Sequence, residues 1–152
     1  MGICNGFQIL TEARLLPGAL LHNDTRKFIC KNTYLRCETD ESLLTSKMRV
    51  GQVIKVPIAH GEGRFFADEA TIQSIEKNDQ VLFRYCDEQG QTGDAFNPNG
   101  ATNHIAGVCN SQRNVFGMMP HPERASDNVL SNTDGRIIFE SILNMTEIRV
   151  RN

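Results

Sequence analysis

The 152-residue sequence contains no apolar run long enough to span a membrane, and it does not open with the basic-then-apolar pattern of a secretory signal. A formal net charge of −2 gives no electrostatic case for nucleic acid or an anionic membrane as partner. Paired cysteine spacing is also missing. Cys4, Cys30, Cys37, Cys86 and Cys109 are an odd and scattered set without a Cys-x-x-Cys pair, so neither a disulfide framework nor a zinc ribbon is indicated. A reducing, cytoplasmic setting is the natural expectation. There is no internal repeat and no low-complexity segment, and the composition fits a globular chain with a sizeable core, read as one domain over residues 1–152.

What is present begins at the first residues. Gly2-Ile3-Cys4-Asn5-Gly6 sets a cysteine between two glycines directly ahead of a helical segment, the cysteine form of a nucleophile elbow. The expectation is that a β-carbon at either glycine would crowd the turn. A helix N-terminus next to the sulfur would favour its thiolate. The motif alone leaves two readings open, a nucleophile or a buried structural thiol. An elbow also needs a strand leading into it, and only three residues precede Cys4. The chain therefore reads as starting in the middle of a fold.

Phe7 to Leu16 is expected to be a helix with Ile9, Leu10, Ala13 and Leu16 on its apolar stripe, stopped by Pro17-Gly18. Strands are expected at 19–22, 28–37, 52–59, 81–85, 105–109 and 115–119, the last two joined by the polar turn 110–114. Pro57 keeps the 52–59 strand from being fully paired on both sides. His60 to Phe65 reads as a glycine-rich loop, and 38–47 as a loop or short helix. A short helix is expected over 67–78, with Ile72 and Ile75 three apart. An amphipathic helix is expected over 134–145, with Ile137, Ile138, Ile142, Leu143 and Met145 apolar and Thr133 or Asp134 as its cap. The alternation of elements indicates an α/β or α+β fold.

His121-Pro122-Glu123 bears on the open question at Cys4. Proline biases the preceding residue towards extended backbone, where residues two apart point to the same side. The Glu123 carboxylate could then hold one imidazole nitrogen of His121 and leave the other facing outward, the base and orienter of a triad. Cys4 as the third member would suit acyl transfer through a thioester. A surface His–Glu pair is the alternative.

The elbow, Gly2-Ile3-Cys4-Asn5-Gly6-Phe7-Gln8, and the segment Gly117-Met118-Met119-Pro120-His121-Pro122-Glu123-Arg124 resemble the two motifs of class I glutamine amidotransferases. Within that class the whole chain resembles the glutaminase subunits of phosphoribosylformylglycinamidine synthases. Four stretches carry the likeness: 2–18, 57–65, Asn99-Gly100 with 105–108, and 117–125. The resemblance implies an α/β, flavodoxin-like three-layer amidotransferase domain lacking its N-terminal strands. It implies hydrolysis of L-glutamine, with ammonia passed to an ATP- and Mg-using synthetase partner that makes the amidine from formylglycinamide ribonucleotide. A small third subunit is also expected, with no cofactor or metal in this chain. Carried over by position, Cys4 attacks the amide carbon, His121 transfers protons and Glu123 orients it. The Asn5 backbone N–H is an oxyanion donor, and Gln8 shapes the glutamine site.

The remaining polar residues carry weaker expectations. His60, Glu62 and Arg64 are read as an interface or structural set. No Lys-Ser or Lys-Thr follows Gly61-Glu62-Gly63, which argues against a phosphate-binding loop. His22 and His104 read as ordinary loop or edge residues, 97–100 as a turn, and Cys30, Cys37, Cys86 and Cys109 as buried small hydrophobes, with a zinc site the weaker alternative. Arg149 and Arg151 read as a solvated tail. The N-terminal portion of the family, including the glycine-rich loop that gives the second oxyanion donor, has no counterpart here. Such a donor commonly contributes ~2.7–4 kcal/mol. The chain is thus expected to be a fragment that is inactive alone. The competing classes are a different thiol hydrolase, such as a peptidase, on a related sheet, and a non-catalytic synthetase-binding fragment.

Overall fold

A computed structural model describes residues 1–150, with side chains through Leu143. The central sheet takes strand β1 (Gly2–Ile3), β3 (Ile29–Cys37), β4 (Val53–His60), β6 (Val81–Cys86), β7 (Ile105–Cys109) and β8 (Phe116–Met118) in the order β1-β8-β7-β6-β3-β4. Strands β2 (Ala19–His22) and β5 (Glu62–Phe66) form a separate antiparallel ribbon. The class is α/β as expected, but only β1 and β8 run parallel; the other neighbours in the sheet are antiparallel. Tight reversals explain this. In 110–114, Asn110 Oδ1 accepts from the backbone N–H groups of Asn114 and Val115 at 3.0 and 3.1 Å, which closes a hairpin between β7 and β8.

The interior lies against β6, β7 and β8, whose residues are buried almost throughout. Leu35, Val56, Ile58, Phe83, Tyr85 and Met118 are among its fully buried members. Pro57 sits in β4, which is an edge strand, as the proline predicts.

Helix α1 (Asn5–Glu12) starts and stops earlier than the sequence pattern indicates. Its inward residues are Phe7 and Thr11, while Ile9 is 66% exposed. Arg14 turns the chain at φ +57°, and Leu16 reaches the core from that turn rather than from the helix. Phe7 stacks on Phe65 with centroids 6.1 Å apart. Gly117 makes room for this packing, since a β-carbon there would stand 2.1 Å from the Phe7 ring. Helix α2 (Glu69–Lys77) buries Ile72 and Ile75, and Asp68 caps it by accepting the Thr71 N–H.

Several expectations are corrected. Residues 60–65 are not a loop: His60 ends β4, Gly61 is a single bend, and 62–65 belong to β5, paired with β2. The segment 38–47 follows the loop reading, with turns and bends and no helix. Helix α3 (Arg136–Val150) begins after Asp134, whose carboxylate accepts the Lys55 backbone N–H at 2.9 Å instead of capping. Ile138 is buried, and Ile137 and Ile142 pack at the edge of the core. The Met145 and Arg149 side chains and all of Arg151 lie outside the described residues. Cys30 is exposed on the outer half of β3, not buried like Cys37, Cys86 and Cys109.

Candidate active site

The two-residue strand β1 turns into α1 through Cys4, whose backbone sits at φ +52°, ψ −109°. That is outside the left-handed well which non-glycine residues tolerate, a conformation held only where its surroundings over-determine it. Cys4 N–H donates to Met118 C=O at 2.8 Å, and its own C=O accepts from Phe7 and Gln8 at 2.9 and 3.2 Å. The two glycines differ. A β-carbon on Gly2 would come within 2.5 Å of the Gly6 backbone and 2.7 Å of Leu10, whereas one on Gly6 would meet nothing within 4 Å. Steric need therefore accounts for Gly2 and not for Gly6.

The Cys4 thiol is 9% exposed and points towards the Ala59 C=O at 3.9 Å and Asn5 Oδ1 at 4.0 Å. Burial pushes its pKa up, while a hydrogen bond from the Asn5 backbone N–H and the Arg124 charge pull the other way. The helix terminus thus does not leave a free thiolate at rest, so the group needs a base. Burial takes Cys37 up to about 12 and Cys86 to about 11.

His121 is extended at φ −104°, ψ 85°, and its Nδ1 lies 2.6 Å from Glu123 Oε1. A carboxylate can only accept, so Nδ1 carries the proton and Nε2 keeps its lone pair. That Nε2 is buried and has no partner. Cys4, Asn5, Gln8, Phe28, His60, His121 and Arg124 line one cavity of about 640 Å³. Glu123, roughly half exposed, supports it from behind His121. The structure therefore brings all five sequence-selected residues to one place. Gln8 is additionally tied down, its Nε2 donating to Glu62 C=O at 2.6 Å.

Of the other candidates, His60 is buried beside the cavity, while His22 and Glu62 form an exposed pair at 3.3 Å on the neighbouring ribbon. His104 pairs with Asp94 at the surface. Arg64 has a buried Nε without a partner. Among the described residues no group of three His, Cys, Asp or Glu side chains could hold a metal ion.

Sequence reasoning missed Asn23 and Asn99. Asn23 Nδ2 donates to Lys27 C=O and His60 C=O at 2.8 and 2.9 Å, and its Oδ1 meets His60 Nδ1 at 3.0 Å and Gly63 N–H at 3.2 Å. Asn99, fully buried, donates to Gly63 C=O at 2.8 Å. Asn99 stands in 97–100, which reads as a turn and belongs to a stretch carrying the family likeness, and Asn23 directly follows the strand expected at 19–22; neither has a role assigned from the sequence. Apart from Lys27, these partners lie 36 to 40 positions away, so no local pattern reveals them. Arg124 and Phe28 also enter the cavity without having been assigned a role.

Fold and site together define an amidotransferase domain with a cysteine at its elbow. The chain belongs to the CobB/CobQ-like glutamine amidotransferase domain family, whose profile matches residues 1–142. It is similar to the phosphoribosylformylglycinamidine synthase subunit PurQ of Methanosarcina mazei, at 58% identity over 142 residues, covering 93% of this chain and 61% of the relative. The corresponding subunit of Aquifex aeolicus is 53% identical over 143 residues, covering 94% of this chain and 63% of the relative. Among solved structures, a chain in the PurLQS structure from Thermotoga maritima matches with a TM-score of 0.80 and 43% identity, covering 96% of this chain and 61% of that one. The chain thus spans about three fifths of the length of the relatives it matches.

Proposed function

We propose that this chain carries the glutaminase chemistry of a phosphoribosylformylglycinamidine synthase, with Cys4, His121 and Glu123 as its triad. The observation that carries the reading is the His121–Glu123 contact at 2.6 Å, with a lone pair left on His121 Nε2 in the cavity that holds Cys4. The identity of the similar subunits supports the choice of synthase.

In this mechanism His121 Nε2 takes the thiol proton while the sulfur attacks the γ-amide carbon of glutamine. The carbonyl π electrons move to oxygen, where the Asn5 backbone N–H, the amide following the nucleophile, donates to the oxyanion. As the tetrahedral centre collapses, the C–N bond breaks and the imidazolium gives its proton to the departing nitrogen. A thioester and ammonia result. His121, neutral again, then takes a proton from water attacking the thioester, and returns it to the sulfur as glutamate forms. Glu123 holds the Nδ1–H throughout and balances the imidazolium charge. Ammonia passes to a synthetase partner that uses ATP and Mg to convert formylglycinamide ribonucleotide to formylglycinamidine ribonucleotide, with a small third subunit completing the complex. The setting is cytoplasmic, and five unpaired thiols are in keeping with it.

The test is ammonia release from L-glutamine by the chain together with a synthetase subunit. Turnover that disappears in Cys4→Ser supports the proposal, and turnover that survives that substitution overturns it. Cleavage of peptides in preference to glutamine would point instead to a peptidase.

A further inference from the structure

His60 presents a second imidazole to the same cavity, and its hydrogen bonding fixes which nitrogen is free. The Asn23 amide nitrogen already donates to two carbonyls, so its Oδ1 is an acceptor, and this oxygen takes the Gly63 N–H and His60 Nδ1. Nδ1 therefore bears the proton, and Nε2 has only a lone pair. That nitrogen is buried without a partner, like Nε2 of His121. The ring is 4% exposed, and Gly63 is shaped around it: a β-carbon there would stand 2.3 Å from the imidazole. Burial, together with the charge His121 can carry, lowers the His60 pKa to about 4, so the ring stays neutral near pH 7.

Two residues lining the cavity thus carry a fixed acceptor just beneath its surface, His60 at the end of β4 and His121 on the segment after β8. A buried lone pair without a donor is costly, and a ligand that brings the donor relieves it. Building on the glutaminase reading above, we infer that His60 Nε2 accepts one N–H of the glutamine γ-carboxamide while His121 faces the other. His60 is thereby a specificity residue that selects –NH2 over the acceptor-only carboxylate of glutamate. A bound carboxylate would set lone pairs against lone pairs, so the same device also favours release of the glutamate product. After attack the nitrogen becomes pyramidal, and with one N–H held by His60 it turns its lone pair to His121, which delivers its proton as the C–N bond breaks.

The experiment measures labelling of Cys4 by a chloroketone analogue of glutamine, using the 152-residue chain alone and mixed with a synthetase subunit. Protection constants are taken for L-glutamine, L-glutamate and glutamate γ-methyl ester. The ester is neutral like the amide but has no N–H. The expected results are that glutamine protects at least about tenfold better than the ester, that the glutamine-to-glutamate ratio falls at least about tenfold in His60→Phe, and that His60→Gln, which keeps an acceptor, recovers part of it. Ratios cancel any general loss of labelling. Equal protection by ester and amide in the unsubstituted chain overturns the inference even if His60→Phe fails to fold. An unchanged ratio in a folded His60→Phe does the same while leaving the glutaminase reading standing. If Cys4 is not labelled in a glutamine-protected manner under either condition, the site reading fails and the inference with it.

Discussion

Gly2→Ala and Gly6→Ala change the same residue type on either side of Cys4, and the structure assigns them opposite signs. At Gly2 the new β-carbon meets the Gly6 carbonyl carbon and oxygen at 2.5 Å, and these are backbone atoms of the first turn of α1 that cannot rotate aside. Either β1 shifts against β8 or α1 moves off the turn. Overpacking of this kind typically costs about 1–3 kcal/mol, and contact with backbone puts it at the upper end. At Gly6 there is open space and no positive φ, so alanine meets no steric penalty. A helical glycine replaced by alanine gains roughly 0.5–1 kcal/mol by reducing the freedom of the unfolded chain and favouring the helix. At about 2–4 °C per kcal/mol for a chain of this size, Gly2→Ala should lower Tm by about 4–12 °C, and Gly6→Ala should raise it by about 1–4 °C. Thermal unfolding followed by circular dichroism reads both. Labelling of Cys4 by the chloroketone should slow sharply in Gly2→Ala alone. Equal destabilisation by the two substitutions would refute the claim that the elbow is crowded on one side only.

Glu123→Gln keeps the shape beside His121 but cannot stabilise its imidazolium; kcat should fall roughly 10²–10⁴-fold in a glutaminase assay with Tm little changed, since Glu123 is half exposed. Asn23→Ala strips partners from the His60 ring, the Gly63 N–H and two carbonyls, so denaturant unfolding should show a loss of about 2–4 kcal/mol. The buried, neutral His60 also makes stability depend on pH. Its pKa is about 4 when folded against 6.5 when unfolded, so the unfolded chain binds more protons between these values and stability rises with pH there. Its contribution, up to about 3 kcal/mol, is complete above pH 6.5 and is lost as pH falls through 4. Urea midpoints from pH 4 to 7 should therefore slope less steeply in His60→Gln than in the unsubstituted chain.

The parts of the site that were legible in the sequence are those whose geometry is local. Gly2 to Gly6 spells out a turn, and Pro122 forces the extended backbone that lets Glu123 reach His121. The second helix was legible from the spacing of Ile72 and Ile75, while its cap at Asp68 came only with the structure. Legibility ended where long-range pairing decides the outcome. Gly61-Glu62-Gly63-Arg64 has the composition of a loop, yet from Glu62 on it is strand because β2 supplies a partner. Ile9 follows the helical period but faces outward, because Phe7 and Thr11 set the buried side of a helix only eight residues long. Asn23 and Asn99 were invisible because a polar residue in a turn looks the same whether solvent or a buried histidine takes its hydrogen bonds. The thiol showed the same limit: proximity to a helix start argues for a thiolate, but burial, which no spacing reveals, outweighs it.

The edge strand β4 explains how His121, on an irregular segment, is held as firmly as a residue on a strand. Lys55 turns both backbone groups away from β3: its N–H donates to Asp134 at 2.9 Å, and its C=O accepts from Asn132 Nδ2 at 2.8 Å. Residue 57 has the same orientation, two positions on, and its C=O accepts the His121 N–H at 2.8 Å. The missing N–H of Pro57 therefore falls on the open side, where it costs no ladder hydrogen bond to β3 and leaves no donor exposed for another strand to pair with. The segment from His121 to Asp134 lies along this edge in place of a further strand. A second lock closes it, because Gly135 N–H donates to Ala125 C=O at 2.7 Å, and a β-carbon at Gly135 would come within 2.4 Å of the Pro122 carbonyl. The strand that ends in His60 thus positions His121 through its outer edge. Both imidazoles are referenced to β4, so the spacing between their lone pairs is set by sheet geometry and not by the freedom of a loop.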